Sequence, residues 1–318
     1  MKIRASRRNP FSVSILPLLG RLHRNSFRSG NSKGSSIGRF LSRMLFYPWR
    51  ALSFTPVHGK LDVIIQDSFH TVFFDVRNRQ FSAIYFDVFS EGYEPEFTTI
   101  IDALLPDEGV FLDIGSNWGF FSIFLASRIG FRGHIHAFEP WPATHLDLLS
   151  LIDSLDLRRV VTCHNEALSD VSGFANMKSP GHSGLAHISD GQKGEEIRTT
   201  TLDDMELSSV DLIKIDAEGL EDKILKGGQR FLKECKPMIL FENRTKRFGD
   251  DNCLEVLFML EEMGYKLFAP HLVHISDQEN QVEFIPLTAD TRSNFAEYPN
   301  LFACHLNELN NMINLSIK

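Results

Sequence analysis

From Gly109 onward the chain alternates short, continuous apolar runs with stretches of helical periodicity. "GVFLDIG" is a run of strand length closed by an acid and a glycine. Phe121, Phe124, Leu125 and Ile129 then recur at helical spacing, which predicts a helix from Asn117 to Ile129. "GHIHAFEP" predicts a second strand, and Pro142 suits the first turn of a helix through Leu155. "VVTCHNEAL", "VDLIKIDAEG" and "KPMILFEN" predict the third, fourth and fifth strands. Leu220, Ile224 and Leu225 mark a short helix stopped by Gly227 and Gly228, and Cys253 to Met263 a longer one. "GYKLFAP" and "NLFACHL" read as two more strands. Runs that stay apolar instead of alternating belong to strands buried on both faces. The pattern therefore predicts an α/β, Rossmann-like fold, a mostly parallel sheet with helices on both sides.

Upstream the pattern changes. Residues 61–90 hold β-branched and aromatic runs broken by polar turns, which predicts a strand-rich extension. "GYEPEFTTIIDALLPDEG" predicts an amphipathic helix ending at Leu105, since Pro106 cannot continue it. The division expected is a leader over 1–50, an extension over 51–108 and the main domain over 109–318.

Composition sharpens the leader most. Its 50 residues carry 11 Lys or Arg and no Asp or Glu, whereas the remainder holds 22 basic against 41 acidic residues, a net of −19. Three readings of the leader stand open. It is a disordered tail, as "SGNSKGSSIG" suggests, a targeting segment, or a peripheral anchor. As an anchor, its Arg and Lys meet anionic lipid while "FSVSILPLL" or "FLSRMLFYPW" enters the headgroups. These apolar runs are too short to span a bilayer. The acidic body is a poor match for nucleic acid, which demands a basic footprint. Cys163, Cys235, Cys253 and Cys304 form no C-x-x-C pair and read as thiols of a reducing compartment, cytoplasmic or membrane-peripheral.

In doubly wound sheets ligands sit beyond the carboxyl ends of the strands. Those ends are Asp113, Glu139, Asn165, Asp216 and Glu242, all polar. The first turn, Gly115-Ser116-Asn117-Trp118-Gly119, departs from the G-x-G-x-x-G dinucleotide pattern. Asn117 replaces the glycine that lets a pyrophosphate approach, so the turn suits a ligand without phosphates. S-adenosylmethionine is such a ligand, and its cationic sulfonium matches a crevice lined by acids. Glu139, 26 residues beyond Asp113, is placed to accept hydrogen bonds from both ribose hydroxyls. The plainer alternatives are a tight turn at Gly115 and Gly119 and an exposed strand end at Glu139.

The stretches "FLDIGSNWGFFS", "HAFEPWPATHLDLL", "HNEALSDVSGFANM", "TTTLDDM", "VDLIKIDAEGLEDKILKGGQRFL" and "KPMILFEN", in that order, resemble the FkbM-type S-adenosylmethionine-dependent methyltransferases. The resemblance runs from about Leu105 to Asn243 and leaves out the leader and residues 51–90. It implies a class I methyltransferase sheet, with Asp113, Gly115, Ser116, Asn117 and Gly119 around the methionine part of the cofactor. It further implies Glu139 at the ribose, Asn165 and Glu166 beside the adenine, and Asp216 and Glu218 facing donor and acceptor. Ser116 stands for a more usual alanine. Trp118 is bulkier than the turn requires and is expected to reshape the entrance.

Methyl transfer to a hydroxyl is an in-line displacement that gains from a base. The candidates are Asp216, Glu218, Glu242 and His182, and the same carboxylates are of the kind that hold a divalent cation. Glu218 also reads as a first-turn helix acid, Lys214 as an ion-pair partner of these acids, and Asp203 and Asp204 as a turn. The segment Ser179–His187 reads as an acceptor-side lid. The function expected is methylation of a hydroxyl on a carbohydrate or small secondary metabolite, a small-molecule or glycan acceptor. The alternatives are a nicotinamide-dependent oxidoreductase and a non-catalytic binding module.

Overall fold

A computed structural model describes residues 1–22, 40, 44–49, 52, 58–76, 81, 93–178, 187–189, 194–207, 209–243, 252–276, 278–288 and 298–310. In chain order the N-terminal part comprises β1 (Lys2–Ser6), β2 (Phe11–Ile15), β3 (His58–Ile65), β4 (Ser68–Asp75) and α1 (Pro95–Leu104). Then follow β5 (Val110–Ile114), α2 (Phe120–Ala126), β6 (His134–Phe138), α3 (Pro142–Ser154) and β7 (Val161–His164). The small strands β8 (Ala167–Leu168), β9 (Gly173–Lys178), β10 (His187–Ser189) and β11 (Glu195–Thr200) come next. Last are β12 (Leu212–Ile215), α4 (Glu221–Lys226), α5 (Gln229–Cys235), β13 (Met238–Glu242), α6 (Asn252–Glu262), β14 (Tyr265–His274), β15 (Glu279–Pro286) and β16 (Asn300–His305).

The central sheet has nine strands in the order β1-β15-β14-β16-β13-β12-β5-β6-β7. β13, β12, β5, β6 and β7 are mutually parallel, and β16 enters antiparallel between β13 and β14. β12 and the last four residues of β5 are buried throughout, as their unbroken apolar runs predict. Along β5, β12 and β13, successive residues feed opposite cores. Phe111, Leu212 and Leu240 meet α1, α2 and α3, while Leu112, Ile213 and Ile239 meet α4, α5 and α6. The strand order reverses between β5 and β12, so the crevice at their carboxyl ends is the switch point.

The leader is not a free tail over its first 16 residues. β1 pairs antiparallel with β15 and forms the edge of the central sheet, and β2 pairs with β3 to make a three-stranded sheet with β4. Ile3, Phe11 and Leu16 are buried. Between the strands, Arg8 forks onto Asp102 of α1 with contacts of 2.7 and 2.6 Å and also donates to Ser127 Oγ and the Phe124 carbonyl. Leader and extension therefore belong to the same packed body as the main domain. The basic composition masked this because its alternating apolar positions find partners almost the whole chain away. Residues 23–39 of the leader, and 82–92 of the extension, lie outside the described residues.

Three smaller expectations change. The helix after β5 is only Phe120–Ala126, because Asn117 and Gly119 take left-handed conformations, φ 54° and 93°, and Ile129 is exposed beyond it. The third strand divides at Asn165 and Glu166, with β8 leaving for a four-stranded sheet of order β10-β9-β11-β8. Of the segment expected as a lid, Ser179–His187, only His187, the first residue of β10, is described, and residues 179–186 lie outside the described residues. Asp203 does serve a structural turn, accepting from Phe231 N at 2.8 Å and Arg230 N at 3.2 Å at the start of α5. Among the described residues no helix is long and apolar enough to cross a membrane.

Asp102 is nearly buried under the Arg8 fork. Asp102→Ala is expected to lower the unfolding free energy by about 2 kcal/mol, because it strands a charged donor. Urea unfolding checks this.

Candidate active site at the switch point

β5 ends in a turn whose backbone is held from two sides. Gly115 N and Ser116 N both donate to the Phe138 carbonyl at 3.0 and 2.9 Å, fastening the turn to β6. On the other side the backbone of Asp216 comes so near that a Cβ on Gly115 would lie 1.8 Å from its carbonyl oxygen. With φ at +72° as well, only glycine fits.

Lys214 lies beneath this turn. Register pairs it with Asp113, so both side chains emerge on the same face of the sheet. Its Nζ donates to the Gly115 carbonyl at 3.0 Å, lies 3.4 Å from Asp113 and 3.6 Å from Asp216, and sits 5.1 Å from the Phe121 ring centroid. Burial disfavours the ammonium, but Asp113, Asp216 and Glu94 outweigh it and hold the pKa above lysine's ordinary value. The ion pair expected of Lys214 is thus made twice. Asp113 is fully buried, with Ser122 Oγ donating to it at 2.8 Å, so it braces the turn from below and does not face the crevice.

Glu139 stands just past β6. One carboxylate oxygen accepts from Asn117 N at 3.1 Å and the other from Trp141 N at 2.8 Å. Asn117 Oδ1 in turn accepts from Trp118 N at 2.8 Å. Burial pushes the Glu139 carboxyl up to about 7, against the two amide donors that favour its charge. Glu139 is therefore a buried, oriented acid and not an exposed strand end. Trp118 does not shape the entrance. It is buried with Phe11, Phe81 and Phe120 at centroid distances of 5.6, 5.5 and 5.7 Å.

Gly115, Asn117, Glu139, Glu166, Asp216 and Glu218 meet around one cleft of about 580 Å³, open to solvent. Phe138, Leu168 and Met177 add apolar wall. Glu166 pairs with Arg198 at 3.4 Å and lies 3.7 Å from His164, whose ring stacks on Phe138. Ser116 and Gly119 are buried in the turn, and Asn165 spends its amide on the Glu139 and Pro140 carbonyls at the rim. Glu218, with φ 54°, lies in the turn before α4, and Glu221 at the start of that helix accepts from Ala217 N and Gly219 N in the same turn. His182 lies outside the described residues. Among the described residues no three His, Cys, Asp or Glu side chains gather as metal ligands.

Tyr93 and Glu94 complete the acidic side of the site, and the sequence pattern read them only as the approach to a helix. Tyr93 packs on Phe120 and Phe121 at 4.9 and 5.9 Å. Two residues on, Glu96 accepts from Asn300 Nδ2 at 2.8 Å, and Asn300 pairs in register with Glu242. The segment 93–96 therefore bridges the carboxyl ends of β12 and β13. Burial first, then Asp216, pushes Glu94 up to about 8. Burial, reinforced by Glu94, Asp216, Glu242 and Glu218, holds the Tyr93 phenol well above its ordinary value. The available signal was Glu94 before Pro95, a pair that cannot both be helical, and Glu94 has φ 43°.

Residues 113–267 match the model of the methyltransferase FkbM domain. The chain carries an FkbM methyltransferase domain. The FkbM reading of its motifs, with the reversed β16 beside β13 and β14, gives the class I methyltransferase sheet expected of it. No curated protein matches the chain. Among solved structures, methyltransferase FkbM from Methylobacillus flagellatus KT is similar at 18% identity and a TM-score of 0.40, covering 56% of this chain and 44% of its own. The chain thus spans less than half the length of that protein. The O-methyltransferase from Bacillus cereus, in complex with SAH, shows 13% identity and a TM-score of 0.35 over 63% of this chain and 74% of its own. Fibrillarin from Aeropyrum pernix, with natively bound S-adenosyl-L-methionine, shows 12% identity and a TM-score of 0.34 over 57% and 68%.

The buried groups of the FkbM domain and its flanks set opposing pH dependences. Burial and neighbouring histidines push His136 and His164 down to about 4 from 6.5. The unfolded chain binds more protons there, so stability rises with pH up to about 6.5. Glu139 and Glu94 are raised from 4.5 to about 7 and about 8, so the folded chain binds more protons and their contribution falls as pH rises through that range. Of these four groups only the carboxyls act above 6.5. The unfolding free energy is expected to decline between pH 6.5 and 8, and Glu94→Gln with Glu139→Gln to flatten that decline in urea titrations.

Proposed function

We infer that the chain transfers the methyl group of S-adenosylmethionine to a hydroxyl oxygen of an uncharged polyhydroxyl acceptor, a carbohydrate or related secondary metabolite. The observation that carries this reading is the Glu139 carboxylate, buried at the switch point with each oxygen held by one backbone amide. Each oxygen keeps a lone pair, which suits a vicinal diol. The fit extends to the turn. Asn117 N and Trp118 N, amides that would otherwise be free to cradle a phosphate, are spent on Glu139 and on Asn117 itself. That favours a phosphate-free ligand over a dinucleotide.

When bound, the cofactor supplies an electrophilic methyl group on a positively charged sulfur. Glu139 would hold its ribose, Asn117 and the Gly115 backbone its amino-acid part, and Phe138, Leu168 and Met177 the flat base. Asp216 and Glu218 place negative charge on the far wall of the cleft, which favours a cation and disfavours phosphorylated or carboxylated acceptors. Asp216 is already shared with Lys214. Asp216 and Glu218, which line the cleft, are the carboxylates placed to take the proton of a bound hydroxyl, and Glu218 enters first because Asp216 is held by Lys214.

Isothermal titration with S-adenosylmethionine tests the reading, and a folded chain that binds none refutes it. Affinity is expected to rise as pH is raised through about 7, as Glu139 ionises, and to lose that dependence in Glu139→Gln. With a methyl-accepting polyol in hand, Glu218→Gln is expected to lower kcat by about 10²–10⁴-fold.

A further inference from the structure

Phe138, on the wall of the cleft, is backed by a row of imidazoles that methyl transfer itself leaves without a task. His134 and His136 alternate with apolar residues along β6. Parallel register sets His136 beside Thr162 of β7, and Phe138 beside His164. These side chains therefore share one face of the sheet. Along that face His134 meets His136 edge-on at a centroid distance of 4.8 Å, and His136 stacks on His164 at 5.4 Å. His164 in turn lies on Phe138 at 4.3 Å, the two rings only 8° from parallel.

Polar residues on a half-covered sheet face need no purpose beyond solvation, but this row ends at the cleft. Three consecutive residues at the close of β7 hold the wall that Phe138, Glu139 and Pro140 form. The His164 carbonyl accepts from Glu139 N at 3.0 Å, and Asn165 Nδ2 donates to the Glu139 and Pro140 carbonyls at 3.0 and 3.1 Å. Glu166 lines the cleft itself.

The contacts of the row also decide where its protons sit. His136 Nδ1 and His164 Nε2 face each other at 3.1 Å, so between two neutral rings one nitrogen donates and the other accepts. On the far side of its ring, His164 Nδ1 lies 3.7 Å from Glu166 Oε1. With its proton on Nε2, His164 would turn a lone pair toward a carboxylate. With its proton on Nδ1, the N–H faces the carboxylate and Nε2 accepts from His136 Nδ1. The second arrangement satisfies both contacts, so His136 sets the tautomer of His164. Burial, with neighbouring histidines, keeps both rings neutral at pH 7. The other Glu166 oxygen lies 3.4 Å from Arg198 Nε, but that side chain is 71% exposed, and a pair so open to water holds a carboxylate weakly. His164, at 22%, is the shielded partner of the two.

We propose that His164, with its proton set by His136, is a positioning residue for the base of the cofactor. Its ring backs Phe138, and its Nδ1–H holds the Glu166 carboxylate where it lines the cleft. The wall is then formed before the cofactor arrives, so less ordering accompanies binding. The assignment rests on the methyltransferase reading, in which Phe138 borders the flat base and Glu166 lies beside it.

Two measurements on the full chain test it, with S-adenosylhomocysteine as the probe. In proton–nitrogen correlation spectra of histidine-labelled protein, with signals assigned by His136→Phe and His164→Phe, both rings are expected to be protonated on Nδ1. The His164 signals should move when S-adenosylhomocysteine saturates the chain, as those of a ring serving only the fold would not. A His164 protonated on Nε2, or signals indifferent to the probe, would overturn the proposal. In isothermal titration, His164→Phe keeps a ring on Phe138 and removes the donor, and should weaken the probe about five- to tenfold. His136→Phe frees the tautomer of His164 and should weaken it by less. In a Glu166→Gln background, His164→Phe should add little, because it acts through that carboxylate. Parent-like affinity in His164→Phe, or full additivity with Glu166→Gln, overturns the assignment. Should His164→Phe not fold, His136→Phe and the parent spectra still decide. A parent that binds no S-adenosylhomocysteine overturns the methyltransferase reading and this assignment together. A parent that binds it, with variants that bind it as tightly, overturns this assignment alone.

Discussion

The ammonium of Lys214 is buried where β5 and β12 end, and the architecture of the site follows from how it is satisfied. A buried charge is tolerated only with partners, and here they come from three places in the chain. Asp113 is its register neighbour, Asp216 lies two residues on along the same face, and the Gly115 carbonyl turns down toward it. Each of these belongs to one lip of the switch-point crevice. The two lips are thereby set at a fixed separation, close enough that Gly115 tolerates no side chain. Removing a single partner of such a group leaves an uncompensated charge, typically a cost of about 3–5 kcal/mol. The crevice is therefore a consequence of an ion-pair network under it, and its walls are as rigid as that network.

The same environment sorts a crowd of carboxylates into different tasks. Asp113 and Asp216 share the lysine, whereas Glu139 is fixed by two amides and Glu221 closes the turn after β12. Glu94 is pushed up by burial and by the charge of Asp216. A cluster in which every acid were equivalent would repel itself and hold protons indiscriminately. Here Asp113 and Asp216 have the lysine, whereas burial raises the pKa of Glu139, against its two amide donors, and of Glu94.

Much of this was legible in the sequence because it is local. The unbroken apolar runs of β5, β12 and β13, their polar last residues and the glycine turn are all short-range patterns, and they located the crevice and six residues that line it. Lys214 was legible as a partner for acids because period-two alternation puts it on the face of Asp216. What stayed hidden depends on pairing across the chain. Nothing near Lys2–Ser6 says that these residues add an edge strand to β15, and nothing near Arg8 announces Asp102. Tyr93 and Glu94 were read as the entry to a helix because their chemistry arises only when Asn300 and Phe121 draw α1 across β12 and β13. Asp113 and Asn165 carry polar side chains at strand ends, as a ligand site would, but both are occupied by the protein itself.

The opening turn shows how far such self-occupation reaches. A glycine at position 117 would leave the amides of residues 117 and 118 with a more open approach. Asn117 instead takes the left-handed conformation, folds its carbonyl oxygen onto Trp118 N, and aims its own amide at Glu139. That strain, of order 1–2 kcal/mol for a non-glycine residue, is offset by two hydrogen bonds and by the burial of Trp118 among Phe11, Phe81 and Phe120. Phe11 of this aromatic cluster belongs to the N-terminal sheet. The position of the turn at the cleft is thus tied, through one indole ring, to the segment that composition alone set apart as a leader. Deleting the leader would act on the turn as well as on the surface it covers, because Phe11 is one wall of the pocket that holds Trp118 in place.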